Sequence, residues 1–138
     1  MSSKHSVRGA AALALGLVVL SGIVPSTTFA AAQDYRFELV GKPQLARGGK
    51  SVVQVRLVRL PDGKPVADAV VFEAKADMGP VGMPTMTAPT KTLTPKQPGI
   101  YQVEVEPGMA GPWAIHLVAK VQGEAETVRG SVTAELAK

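Results

Sequence analysis

The chain has 138 residues, 15 Lys and Arg against 11 Asp and Glu, and no cysteine. Charges of both signs are interspersed, no basic run occurs and aromatics make up 4% of residues, which argues against a nucleic-acid surface. Without cysteine there is neither a disulfide framework nor thiolate chemistry, so any soft-metal site must use methionine or histidine.

Lys4, His5 and Arg8 precede a sixteen-residue apolar stretch, Gly9 to Val24, and then the small-residue segment "PSTTFAAAQ". This is the pattern of a secretory signal peptide over residues 1–30, cleaved after Ala30 or Ala32. The stretch falls short of the about 20 apolar residues a membrane span needs. The expected product is an exported domain over 33–138 with no membrane span in the mature chain. Loss of Lys4 and Arg8 leaves 13 basic against 11 acidic residues, a net charge of about +2.

The rest of the chain reads as strands. "DYRFELVG" (34–41) alternates Tyr35, Phe37 and Leu39 with polar residues, and "SVVQVRLVRL" (51–60) places Val53, Val55 and Leu57 on one face. "VVFEAKA" (70–76) sets Val70, Phe72, Ala74 and Ala76 against Glu73 and Lys75. A short strand at "KTLT" (91–94) precedes "IYQVEVE" (100–106), with Tyr101, Val103 and Val105 facing inward. "WAIHLVAKV" (113–121) and "TVRGSVTAEL" (127–136) align Trp113, Ile115, Leu117, Ala119 and Val121, then Val128, Val132, Ala134 and Leu136. A period of two with β-branched residues marks half-buried strands. Turn residues separate them, "PDGKP", "PKQPG", "PGMAGP" and "QGE" among them. The expected fold is all-β: an immunoglobulin-like antiparallel sandwich of about seven strands.

Between two of these strands lies "ADMGPVGMPTMTAP" (76–89), read as a loop carrying Met78, Met83 and Met86 among glycines and prolines. Strand directions alternate, so this loop and "PGMAG" (107–111) fall at the same end, with Met109 joining the other three methionines and Trp113 adjoining. Thioethers are soft ligands that suit Cu(I) and, by the same softness, Ag(I). They are equally adaptable apolar plugs for the open end of a sandwich, and both readings stand. Asp77 is a candidate charge behind the sulfurs. His116, the one histidine after the leader, faces outward about 10 Å down its strand and is the weakest candidate ligand. A three-histidine zinc site is excluded by count. No nucleophile–base pairing, phosphate cradle or dinucleotide motif appears, so no enzyme is expected.

The segments "VVQVRLVRLPDGKPVADAVVFEAKADMGPVGMPTMTAPT" and "PGIYQVEVEPGMAGPWAIHLVAKVQGEAETVRGSVTAEL" resemble the FixH-like, or YtkA-like, family of small exported bacterial domains. The order Asp-Met, a Met/Pro/Gly stretch, "PG-x-Y" and "PGMAG-x-W" carries the resemblance most specifically. It implies an immunoglobulin-like sandwich in the periplasm. For members with this methionine stretch it implies an accessory role beside heavy-metal efflux systems, which move copper or silver; FixH relatives are implicated in assembling copper oxidases. The expected function is therefore binding of Cu(I) or Ag(I) through Met78, Met83, Met86 and Met109, for an efflux or assembly partner. The competing expectation is an interaction module that docks its apolar end on a membrane-protein complex without metal.

Overall fold

A computed structural model describes residues 34–138; the signal-peptide reading of 1–30 lies outside the described residues. In chain order the strands are β1 (Tyr35–Leu39), β2 (Gln44–Ala46), β3 (Lys50–Arg59), β4 (Lys64–Pro65), β5 (Ala69–Met78), β6 (Met83–Ala88), β7 (Thr90–Gln97), β8 (Ile100–Val105), β9 (Gly111–Val121) and β10 (Thr127–Leu136). One sheet has the order β1-β3-β8-β7, with the short β2 and β4 added to β3; the other has the order β10-β9-β5-β6. All pairings are antiparallel. Apart from the two short additions, this is the ABED and GFCC′ strand order of an immunoglobulin-like sandwich.

The alternation read from the sequence places the core. Val53, Val55, Leu57, Val103 and Val105 from the first sheet meet Trp113, Ile115, Leu117, Ala119 and Val121 from the second, all essentially inaccessible to solvent. β10 adds Val128, Val132, Ala134 and Leu136. Its one missing core side chain is at Gly130, where an added Cβ would stand 2.8 Å from the Phe37 ring. Phe37 of β1 thus fills that gap and joins the two sheets along one edge. Polar contacts fasten the same edge strand two residues away: the Tyr35 hydroxyl donates to Glu124 Oε1 (2.5 Å) and accepts from Arg59 (3.1 Å).

Two strand readings need correction. Val70 and Phe72 do not face the core; they are 65% and 52% exposed. β5 pairs with β9 at Val71↔Ala119 and again at Glu73↔Val118, so Phe72 is an extra residue. This bulge shifts the side-chain phase, and Ala69 and Val71 point inward before it, Ala74, Ala76 and Met78 after it. Leu39, at the end of edge strand β1, is also exposed. The segment 77–89 is not a loop either. It is a hairpin whose return arm, β6, pairs with β5. β6 then crosses at Pro89 into β7, which belongs to the other sheet.

Candidate functional site

The methionine-bearing end is built by the β5–β6 hairpin and the β8–β9 connection. β5 finishes with Asp77 and Met78, a single 3₁₀ turn follows over Gly79–Val81, and Gly82 closes it in the left-handed region (φ 78°). Pro80 fits because the first turn of a helix leaves its amide hydrogens unpaired in any case. Asp77 braces the turn: its Oδ1 accepts the Gly79 N–H at 2.8 Å. A Cβ at position 79 would come within 2.8 Å of that same oxygen, so a larger residue there would push the Asp77 carboxylate off the turn. The turn packs on both β6 and β9.

Met83 lies directly opposite Met78 in the ladder, whereas Thr87 is the partner of Asp77 and Ala88 of Ala76. Residues 84–86 therefore arch out of the pairing and carry Met86 with them. Pro84, which lacks an amide hydrogen, is tolerated here because β6 is a sheet edge.

The four methionines divide into two kinds. Met78 is 3% exposed and belongs to the core. Its methyl carbon lies 3.2 Å from where a Cβ on Gly111 would be, and Gly111 itself has φ 139°. Met78 thus reaches across from β5 to the start of β9. Met83, Met86 and Met109 are 37%, 38% and 42% exposed. Met109 lies in the connection before β9, two residues from Gly111, so it shares the end occupied by the hairpin. Trp113 is fully buried, and its Nε1–H donates to the Met109 carbonyl at 3.1 Å. It secures the Met109 backbone from beneath and does not cover the sulfurs from above.

His116 sits elsewhere. It pairs with Lys75 on one side and Ser131 on the other, on the outer face of the second sheet, and its side chain is half exposed. Met78 faces inward from the same sheet. The imidazole Nε2 lies 2.7 Å from Asp77 Oδ2. Asp77 thus has one oxygen on the turn and one on the histidine. Its carboxyl is held below the ordinary aspartate range, first by the Gly79 N–H and then by His116, against partial burial, which acts the other way. This Asp77–Gly79–His116 brace escaped the sequence reading, although Asp-x-Gly is a local signal for a side-chain-capped turn.

Among the described residues no three His, Cys, Asp or Glu side chains gather as a hard-donor metal site. Asp77 and His116 are paired with each other, and Asp77 also with the Gly79 N–H; the soft side-chain donors at the hairpin end are the thioethers. Their chemistry is that of neutral, polarisable sulfur: weak for hard cations, suited to monovalent copper or silver.

A family model described as YtkA-like matches residues 29–118. No curated protein matches the chain. Among solved structures, the chain is similar to a DUF4426 family protein from Pseudomonas aeruginosa PAO1, with 16% identity, a TM-score of 0.49, and coverage of 79% of this chain and 96% of that one. It is also similar to the Lin-41 filamin domain, with 18% identity, a TM-score of 0.39, and coverage of 75% and 97%. The family match spans well over half of the chain, through every element from β1 into β9, and the chain belongs to the YtkA-like family.

Proposed function

We propose that this chain is a periplasmic accessory protein that binds Cu(I) or Ag(I) through its methionine cluster and buffers or delivers the ion to an efflux or assembly system. The observation that carries this reading is the split in burial. A plug buries its methionines, and only Met78 behaves as one; Met83, Met86 and Met109 each keep more than a third of their surface exposed at one end of the sandwich. Exposing three apolar side chains where Gly79, Gly82 and Pro84 shape the backbone is unfavourable for folding and useful for a ligand. Three thioethers, two on β6 and one on the β8–β9 connection, with Met78 paired opposite Met83, would supply two to four soft donors. An exposed set of neutral donors also suits transfer, because a partner's sulfur can replace one thioether at a time. His116 lies on the other face and is left out of the ligand set. No catalytic role is assigned to any residue.

A second reading has one observation in its favour. Val81, with no donor atom, is 45% exposed between Met78 and Met83, and it extends the apolar surface in the way a docking face on a membrane-protein complex would. A Cu(I) titration against a chromophoric chelator, under anaerobic reducing conditions, separates the two. The metal reading expects saturable binding that weakens at least about tenfold, about 1.4 kcal/mol, when Met83 and Met86 are both replaced by Leu. A docking face keeps its shape and polarity in that double variant. Unchanged Cu(I) affinity, or no competition with even a weak chelator, overturns the metal reading.

A further inference from the structure

We infer that Met83, Met86 and Met109 are oxidation sites for peroxide-class oxidants, while Met78 is protected, so that oxidation disarms the hairpin end and leaves the core folded. Access decides which sulfurs react. The three side chains are 37%, 38% and 42% exposed, against 3% for Met78. Met78 is enclosed by the core cluster and by the chain at Gly111, so an oxidant reaches its sulfur only through local opening of the hairpin. The others need no such opening. In each reaction the thioether sulfur attacks one peroxide oxygen, the O–O bond breaks, an S–O bond forms and water leaves. Sulfur loses two electrons and the peroxide gains two.

The product is chemically different in the respect that matters here. A sulfoxide is polar and presents a hard oxygen, whereas the thioether it replaces is apolar and soft. Three such changes fall on side chains already facing water, so the core is not asked to bury a new dipole. Only this consequence for metal binding rests on the function proposed above; the order of oxidation does not.

The test uses the purified full chain, metal-free, treated with hydrogen peroxide, quenched at intervals and mapped by peptide mass spectrometry. Met83, Met86 and Met109 are expected to gain one oxygen each at comparable rates. Met78 is expected to lag by about tenfold or more in the folded protein and to catch up in urea. The inference is overturned if Met78 keeps pace in the folded state, or if any of the other three is as slow as Met78. A parallel reaction with Ag(I) present tells the two proposals apart. Slower oxidation of the three under Ag(I) supports both. Fast oxidation of the three, with neither Ag(I) protection nor Ag(I) binding, removes the metal reading and leaves the oxidation assignment standing. Tight Ag(I) binding by a protein whose three exposed methionines resist peroxide in the metal-free state removes the oxidation assignment alone.

Discussion

Replacing Tyr101 by Phe tests how the chain is fastened where it passes from one sheet to the other. Tyr101 stands on β8 and is 3% exposed. Its hydroxyl donates to the Val66 carbonyl at 2.7 Å and accepts the Ala69 N–H at 3.3 Å. Val66 and Ala69 belong to the segment that leaves β4 in the first sheet and enters β5 in the second. Phenylalanine keeps the ring and its packing and removes only the oxygen. The short bond contributes most, because its loss leaves a buried carbonyl without a donor, at a cost of about 1–3 kcal/mol. The longer bond adds little, and relief from burying the hydroxyl offsets part of the loss. The expected destabilisation is about 2 kcal/mol, a large fraction of the about 5–15 kcal/mol typical of a domain. Urea unfolding read by tryptophan fluorescence measures it cleanly, since Trp113 is the only tryptophan and is fully buried. The midpoint should fall with the slope unchanged. Alkaline pH gives an independent reading. Burial pushes the Tyr101 hydroxyl above its usual pKa, so the folded state keeps a proton that the unfolded chain releases. Its stabilising share is whole below about pH 10 and is lost as pH rises through the folded value. Tyr35 is raised too, again chiefly by burial, so the variant should flatten the alkaline decline only in part. A loss below about 0.5 kcal/mol, or a changed urea slope, would refute the reasoning.

Two further substitutions probe the edge seam and the hairpin. Gly130→Ala drives a methyl to 2.8 Å from the Phe37 ring and should cost about 1–3 kcal/mol as overpacking; a thermal melt should recover part of that when Phe37→Leu is added, and no recovery would mean that the contact is not the cause. Asp77→Asn addresses the turn at the methionine end. The folded pKa of Asp77 is depressed, by the Gly79 N–H foremost, so its carboxylate stabilises above the unfolded value of about 3.9 and that share is lost as pH falls through the lower folded value. The difference in Tm between wild type and Asp77→Asn should therefore be full near neutral pH and shrink below about pH 4; a gap constant from neutral pH down to pH 3 would show that the charge contributes nothing.

How much of this could be read from the chain depended on whether the information was local. β10 alternates throughout and β9 alternates except at Val118, which is buried out of phase, so Trp113 to Val121 and Val128 to Leu136 declared their inward faces without help. In β5 the same rule failed at Val70 and Phe72. Both are β-forming and apolar, and nothing in "AVVFEAKADM" announces the extra residue; the bulge exists because β9 supplies Ala119 and Val118 as consecutive partners for Val71 and Glu73. β6 was hidden for the opposite reason. Pro84 and the flanking glycines signal a turn, and "MPTMTA" becomes a strand only because the upper half of β5 offers it an unpaired edge. The shared end of the methionines was legible, since antiparallel order carries it. The division between Met78 and the other three was not: identical side chains give no hint of which one meets the space left by Gly111.

That division also bears on how a thioether site could be assembled at all. Fully burying a methionine is worth about 1.5–3 kcal/mol relative to leaving it exposed. Met78 has that stabilisation, and drawing it outward to an ion would surrender it. Met83, Met86 and Met109 have forgone much of it already, so turning them toward a common ion costs mainly side-chain freedom, at most about 1.5–2 kcal/mol for each methionine ordered. The fold lowers part of that cost by holding the backbone on both sides: Asp77 ties the turn after Met78, and Trp113 ties the Met109 carbonyl. Neither tie uses a sulfur atom. If the proposed ion binds here, the arrangement would separate a backbone anchored by a carboxylate and an indole from three partly exposed thioethers free to exchange ligands.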